Sequence, residues 1–176
     1  PQDGRELEAM LGFALSLGRP CVIRYPKSIA PVIGESSSPL KEGCVQPLRS
    51  GRDYGIIALG SMVAPALAAD DILRREGICG TCVNARFVKP LDADTLRNAL
   101  RQLSPSAPVL TVEDGVIDAG FGSAVSETLG RTVERIGLPD QFITHGKRQL
   151  LLEKYGLDAA GIALRIKKAL KKDGKG

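Results

Sequence analysis

From residue 54 onward, short aliphatic or β-branched runs alternate with stretches whose apolar residues recur at helical spacing, and this alternation constrains the fold most. Ile56 to Leu59 reads as a strand, 63–76 as a helix ended by Gly77, and Gly80 to Phe87 as a second strand. Then come a helix over 92–103 capped by Asp92, a strand from Pro108 to Val112, a helix over 120–130, and a short strand from Val133 to Ile136. Helices over 147–155 and 159–171 close the chain. Strands separated by helices must run parallel, because each return needs a crossover, and the crossovers cover both faces of the sheet. The expected fold is α/β, a three-layer, mostly parallel sheet with helices on both faces.

The first 53 residues differ from this pattern. Leu7, Met10, Leu11, Ala14 and Leu15 have helical spacing, with Asp3-Gly4 to start the helix and Gly18 to stop it. Pro20 to Pro26 is short, β-branched at its centre and closed by proline, so it reads as a buried strand ending at Arg24 or Tyr25. The stretch from Ile29 to Pro39 has the Pro, Gly and Ser density of a linker. Gly43 to Leu48 reads as an edge strand, with Ser50 to Asp53 as its turn. The chain opens in mid-pattern, which points to a boundary cut from a longer polypeptide.

Composition removes several classes. Hydrophobic residues are 43% and charged residues 25% of the 176, which is globular rather than disordered, and aliphatic side chains must fill the core because aromatics are 4%. The net charge of +4 is carried by residues 167–176, with five Lys and one Asp, leaving a neutral body. A basic tail without interleaved aromatics reads as a solvated helix end, not a nucleic-acid groove. No apolar run reaches the roughly 20 residues of a membrane span. Cys21, Cys44, Cys79 and Cys82 sit in apolar stretches and read as reduced, buried thiols of a cytoplasmic protein.

Seven strings, in order, resemble landmarks of the transketolase-like family, and in particular of 1-deoxy-D-xylulose-5-phosphate synthases. They are Ile23-Arg24-Tyr25-Pro26, Ala58 to Val63, Val83 to Asp92, Thr111 to Asp114, Gly120 to Val125, Ile136 to Asp140 and Tyr155 to Asp158. The resemblance implies that residues 1–27 are the tail of a central, pyrimidine-binding domain, 28–53 a linker, 54–172 the C-terminal domain and 173–176 a basic tail. It implies a homodimeric transferase in which pyruvate, decarboxylated on thiamine diphosphate with magnesium, condenses with glyceraldehyde 3-phosphate for isoprenoid, thiamine and pyridoxal synthesis. The partners are then the upstream domains of the same enzyme and these substrates. The C-terminal domain of a transketolase or of a 2-oxo-acid dehydrogenase beta subunit is the alternative, and a stand-alone nucleotide-binding module the second.

Arg24 is the expected contact for the substrate phosphate, as the resemblance implies for the family's Arg-Tyr-Pro string, and a guanidinium fork matches phosphate oxygens. Lys27-Ser28 stand where the family continues Arg-Gly. The family's Gly-Asp-Gly motif ending in Asn, which holds the diphosphate and metal, does not occur here, and its catalytic glutamate and histidines lie upstream. This chain alone is therefore expected to bind no cofactor and no metal, to contribute no catalytic residue, and to act as a structural, dimer-supporting lobe.

The remaining candidates read as structural. Gly120-Phe121-Gly122-Ser123 lacks the third glycine of a dinucleotide loop, and Ser123 is expected to cap a helix. Cys79-x-x-Cys82 has no second pair to complete a zinc site. His145 has no partner in the sequence pattern. Arg86, near a strand end, is expected to form a structural ion pair, and Glu113 and Asp114 to serve in capping or a salt bridge.

Overall fold

The computed structural model describes residues 1–33 and 39–173. The linker expectation at Gly34 to Ser38 and the tail expectation at Gly174 to Gly176 lie outside these residues. Five strands form one sheet: β1 (Gln46–Arg49), β2 (Tyr54–Ala58), β3 (Gly80–Asn84), β4 (Val109–Val116) and β5 (Glu134–Leu138). Their order is β1-β3-β2-β4-β5, parallel except for β1, which pairs antiparallel to β3 at the edge. Pro47 is tolerated there because an edge strand can spare an N–H.

Six α-helices accompany the sheet: α1 (Gly4–Ser16), α2 (Val63–Arg74), α3 (Ala93–Ala99), α4 (Phe121–Leu129), α5 (Arg148–Lys154) and α6 (Ala159–Asp173). Side chains alternate along the strands and split the core in two. Ile56, Ala58, Leu110, Val112 and Ile136 pack with Leu73 of α2 and Ile162 and Ile166 of α6. Their neighbours Ile57, Val83 and Val109 pack with Leu96 of α3 and Phe121 and Val125 of α4. Each fully buried aliphatic side chain contributes about 1.5–3 kcal/mol, so the lobe stands on its aliphatics.

The topology fixes where chemistry can sit. β2 is the first parallel strand and lies between β3 and β4. The chain leaves β2 through α2 to reach β3, then returns over the other face through α3 to reach β4. The connections thus diverge at the carboxyl ends of β2 and β4, the position at which α/β folds bind ligands.

A buried ionic network closes the opposite, amino end of the sheet. Asp70 is fully buried and accepts hydrogen bonds from the Tyr54 hydroxyl at 2.6 Å, Arg49 at 2.8 Å and Arg74 at 2.5 Å. Burial works to raise the Asp70 carboxyl, but the hydrogen bonds from Tyr54, Arg49 and Arg74 outweigh it and hold it below its ordinary value. Burial, then the bond to Asp70, push the Tyr54 phenol up.

Caps fall where the chain announces them. The Asp3 carboxylate accepts from Glu6 N at 2.8 Å to start α1, Gly18 follows α1 at φ 62°, and Asp92 accepts from the backbone of Asp94 and Thr95 to start α3. Other expectations need correction. Residues 20–26 form no strand, and Val22 is 95% exposed, because no strand of the described chain lies alongside to take their backbone hydrogen bonds. Cys21 is correspondingly exposed, Cys44 and Cys79 are half-buried, and only Cys82 is buried, where loss of solvation raises its thiol. β3 stops at Asn84 rather than Phe87, since Arg86 turns to φ 59° and Phe87 N bonds back to Ala85 O. α3 ends at Ala99 rather than 103.

Candidate functional site at the carboxyl ends of β2 and β4

Gly60 follows β2 in the left-handed region at φ 56° and begins a short 3-10 turn that carries Ser61. The Ser61 hydroxyl donates to Asp114 Oδ2 at 3.0 Å. Arg148, the first residue of α5, donates to Ser61 Oγ at 2.8 Å and to Asp114 Oδ2 at 3.1 Å. Arg24, from the irregular segment after α1, donates to Asp114 Oδ1 at 2.7 Å and to the Asp114 carbonyl at 3.4 Å. One carboxylate thus holds two guanidiniums, one on each oxygen. Its side chain is 14% exposed, while those of Arg24 and Arg148 are 63% and 37% exposed.

The electrostatics follow from that arrangement. Burial works to raise the Asp114 carboxyl, yet the hydrogen bond and charge of Arg24, then the bonds from Arg148 and Ser61, hold it below its ordinary value. Two fixed cations against one anion leave one net positive charge beside solvent, which suits an anionic group. Arg24 is therefore not held by a buried strand end, as expected from sequence, but by the carboxylate of Asp114.

The neighbouring wall is structural. Glu6 of α1 reaches the end of β3, where its Oε1 accepts from Asn84 at 2.9 Å and from Arg86 Nε at 2.9 Å, with both ion-pair side chains 2% exposed. Glu113 lies next to Asp114 but turns to the other face and accepts from the backbone of Phe121 at 3.0 Å and Gly122 at 2.9 Å. This carboxylate, not Ser123, satisfies the start of α4, and Ser123 instead accepts from Arg135 at 2.9 Å. His145 is exposed in the connection before α5.

Thiamine diphosphate and magnesium do not fit these residues. Among the described residues no group of three or more His, Cys, Asp or Glu is gathered to hold a metal. The glycine-rich start of α4, the natural cradle for a diphosphate, has its N–H groups bound to Glu113. A side chain on Gly122 would come within 2.5 Å of Thr111 Oγ1, so that turn is packed shut. Sequence reasoning missed Arg148 and the hydroxyl of Ser61 as members of the Arg24 site. The one usable signal was Gly60-Ser61 directly after a strand's carboxyl end.

Residues 43–162 match the family described as the transketolase C-terminal domain. The chain belongs to that family. This transketolase C-terminal domain is 43% identical over 180 residues to a 1-deoxy-D-xylulose-5-phosphate synthase of Gloeobacter violaceus, with 97% of the chain and 28% of the relative covered. It is 39% identical over 170 residues to the enzyme of that name from Heliobacterium modesticaldum, covering 93% and 26%. The chain thus spans about a quarter of the length of these curated relatives. A solved split-gene transketolase, described as an inactive beta4 tetramer, superimposes with a TM-score of 0.86 at 33% identity, over 97% of the chain and 56% of that protein. A Pichia stipitis transketolase gives a TM-score of 0.57 at 22% identity over 74% of the chain and 18% of its own, a likeness of fold alone. Among the described residues no helix is long and apolar enough to cross a membrane.

Proposed function

We propose that this transketolase C-terminal domain is the C-terminal part of a 1-deoxy-D-xylulose-5-phosphate synthase, a transferase that condenses pyruvate, with loss of carbon dioxide, and glyceraldehyde 3-phosphate. The observation that carries the reading is identity of 38–43% to synthases across nearly the whole chain. In this reading residues 1–27 are the tail of a central domain, 28–53 link it to the lobe of 54–172 and lend that lobe's sheet its edge strand β1, and 173–176 form a basic tail. The exposure of Leu15, Val22 and Ile29 at 85%, 95% and 98% supports a first segment that packs against further domains of the same cytoplasmic enzyme or against its dimer partner.

Arg24 holds the phosphate of the aldehyde substrate. Its support is a mostly exposed guanidinium at the switch point of the sheet, oriented by Asp114 and with donors remaining. Thiamine diphosphate supplies the carbanion chemistry when bound elsewhere in the longer enzyme, and this chain contributes no ligand to it. The split-gene transketolase likeness favours one second reading, a transketolase subunit.

The test is turnover by a polypeptide carrying this chain together with upstream domains. Pyruvate and glyceraldehyde 3-phosphate are expected to give carbon dioxide and the deoxy sugar phosphate. Transfer of a two-carbon unit from a ketose phosphate instead would select the transketolase reading. The 176-residue chain by itself is expected to turn over nothing and to show no magnesium-dependent cofactor binding in calorimetry.

A further inference from the structure

We infer that the groove between α4 and the edge strand β5 is a binding site for a small hydroxylated bis-anion of the sugar bisphosphate class, held at one end by Arg131 and at the other by Arg135. The site is independent of the reading of Arg24, since the groove shares no residue with the Asp114 cluster.

The groove has a volume of about 620 Å³, inside the range of roughly 300–1,000 Å³ that small-molecule sites occupy. α4 lends it Ser123, Ser126 and Glu127, the turn after α4 lends Arg131 and Thr132, and β5 lends Arg135. β5 is the last strand of the sheet, so no further strand covers this flank.

The two arginines differ from their counterparts in what anchors them. Arg24, Arg49, Arg74, Arg86 and Arg148 each meet a carboxylate. Arg131 donates instead to the Ala107 carbonyl at 3.1 Å, and Arg135 to the Ile117 carbonyl at 3.0 Å and to the Ser123 hydroxyl at 2.9 Å. Among the described residues neither is in an ion pair. Neutral acceptors orient a guanidinium without cancelling its charge, so the forks are ordered before a ligand arrives and still attract an anion. Two guanidiniums against the carboxylate of Glu127 leave the groove one net positive charge. Room for Arg135 is built into the helix, because a side chain on Gly122 would come within 2.6 Å of Arg135 Cγ. The glycine lets the arginine stem lie across the first turn of α4.

Spacing selects the ligand. Arg131 and Arg135 are four residues apart, roughly 14 Å of chain at full extension, and they are tied to carbonyls that precede and follow β4. The two forks therefore serve separate anionic groups, one at each end. Between them Ser123 accepts from Arg135 and keeps its own O–H to donate, while Glu127 is exposed and accepts. A body bearing hydroxyls, which both donate and accept, matches that wall.

The experiment titrates fructose 1,6-bisphosphate, fructose 6-phosphate and inorganic phosphate separately into the 176-residue chain at constant ionic strength, and follows the arginine side-chain N–H resonances by NMR. The bisphosphate is expected to move Arg131 and Arg135 with one common midpoint, about tenfold below that of the monophosphate. Arg131→Gln keeps a donor for the Ala107 carbonyl but removes the charge, and is expected to raise the bisphosphate midpoint about tenfold. Equal midpoints for all three ligands mean a diffuse positive surface and overturn the inference. So does an unchanged bisphosphate midpoint in Arg131→Gln, movement of only one of the two arginines, or movement of neither. Movement of Arg24 without Arg131 and Arg135 overturns this site and leaves the reading of Arg24 standing. The common midpoint is read on the unaltered chain, so it decides the matter even where the variant does not fold.

Discussion

Asp70 and Asp114 hold the same set of partners at opposite ends of one sheet, two arginines and one hydroxyl each. Asp70 sits at the amino ends of β2 and β3, is fully buried, and has a backbone N–H from Gly80 as a further donor at 3.3 Å. Asp114 sits at the carboxyl ends, and its arginines are open to solvent. Identical chemistry thus serves two purposes. Where the hydroxyl comes from a buried Tyr54 and the connections close over the carboxylate, the cluster is a lock. Where the hydroxyl comes from a surface turn at the switch point, the cluster keeps donors in reserve.

Removing the carboxylates is the sharpest way to break this comparison. Asp70→Ala strands Arg49, Arg74 and Tyr54 and is expected to cost about 3–5 kcal/mol, read from urea denaturation. Asp114→Ala, whose arginines can turn to water, is expected to cost less than about 1 kcal/mol by the same measurement. Equal losses would erase the distinction.

A second, smaller effect concerns the wall beside the open cluster. Glu113→Ala leaves the buried N–H groups of Phe121 and Gly122 without their acceptor and is expected to cost about 1–3 kcal/mol. Gain of phosphate binding by that variant would show that the start of α4, not the arginine pair, is the natural anion cradle.

Acid titration separates the two clusters further. Both carboxyls are held below their ordinary value, so each contributes stability that is complete above the unfolded-state pKa of about 3.9 and is lost as pH falls through the depressed folded-state value. The wild-type urea midpoint is expected to fall steadily below about pH 4. Asp70→Asn is expected to flatten part of that fall, and Asp114→Asn to flatten it less, because solvent screens the exposed pair. The smallest effect is that of Arg24→Ala on stability, about 0–1 kcal/mol, and raising the salt concentration is expected to shrink it further.

Much of the lobe was legible before folding because its signals are local. Gly18, Gly77 and Asp92 punctuate helices through their own backbone or side-chain geometry, and the alternation of Ile56, Ile57 and Ala58 between two faces reports the strand period directly. The misreadings share one cause. The run from Pro20 to Pro26 has strand chemistry, but a strand exists only when a neighbour accepts and donates its hydrogen bonds. Ser123 can cap a helix, but Glu113 reaches the same N–H groups from the adjoining strand.

The sequence by itself determined the layered α/β arrangement and the identity of most caps, since periodicity, glycine and capping chemistry act within a few residues, whereas Arg24 was marked only by the resemblance of its Arg-Tyr-Pro string. Only the tertiary structure decided what Arg24 meets. Asp114 lies 90 positions from Arg24 and 34 from Arg148, and only the order of the strands brings them to one carboxylate. The physical reason is that hydrogen bonds and ion pairs between distant residues are set by which strand ends the crossovers leave adjacent, a property no local pattern encodes.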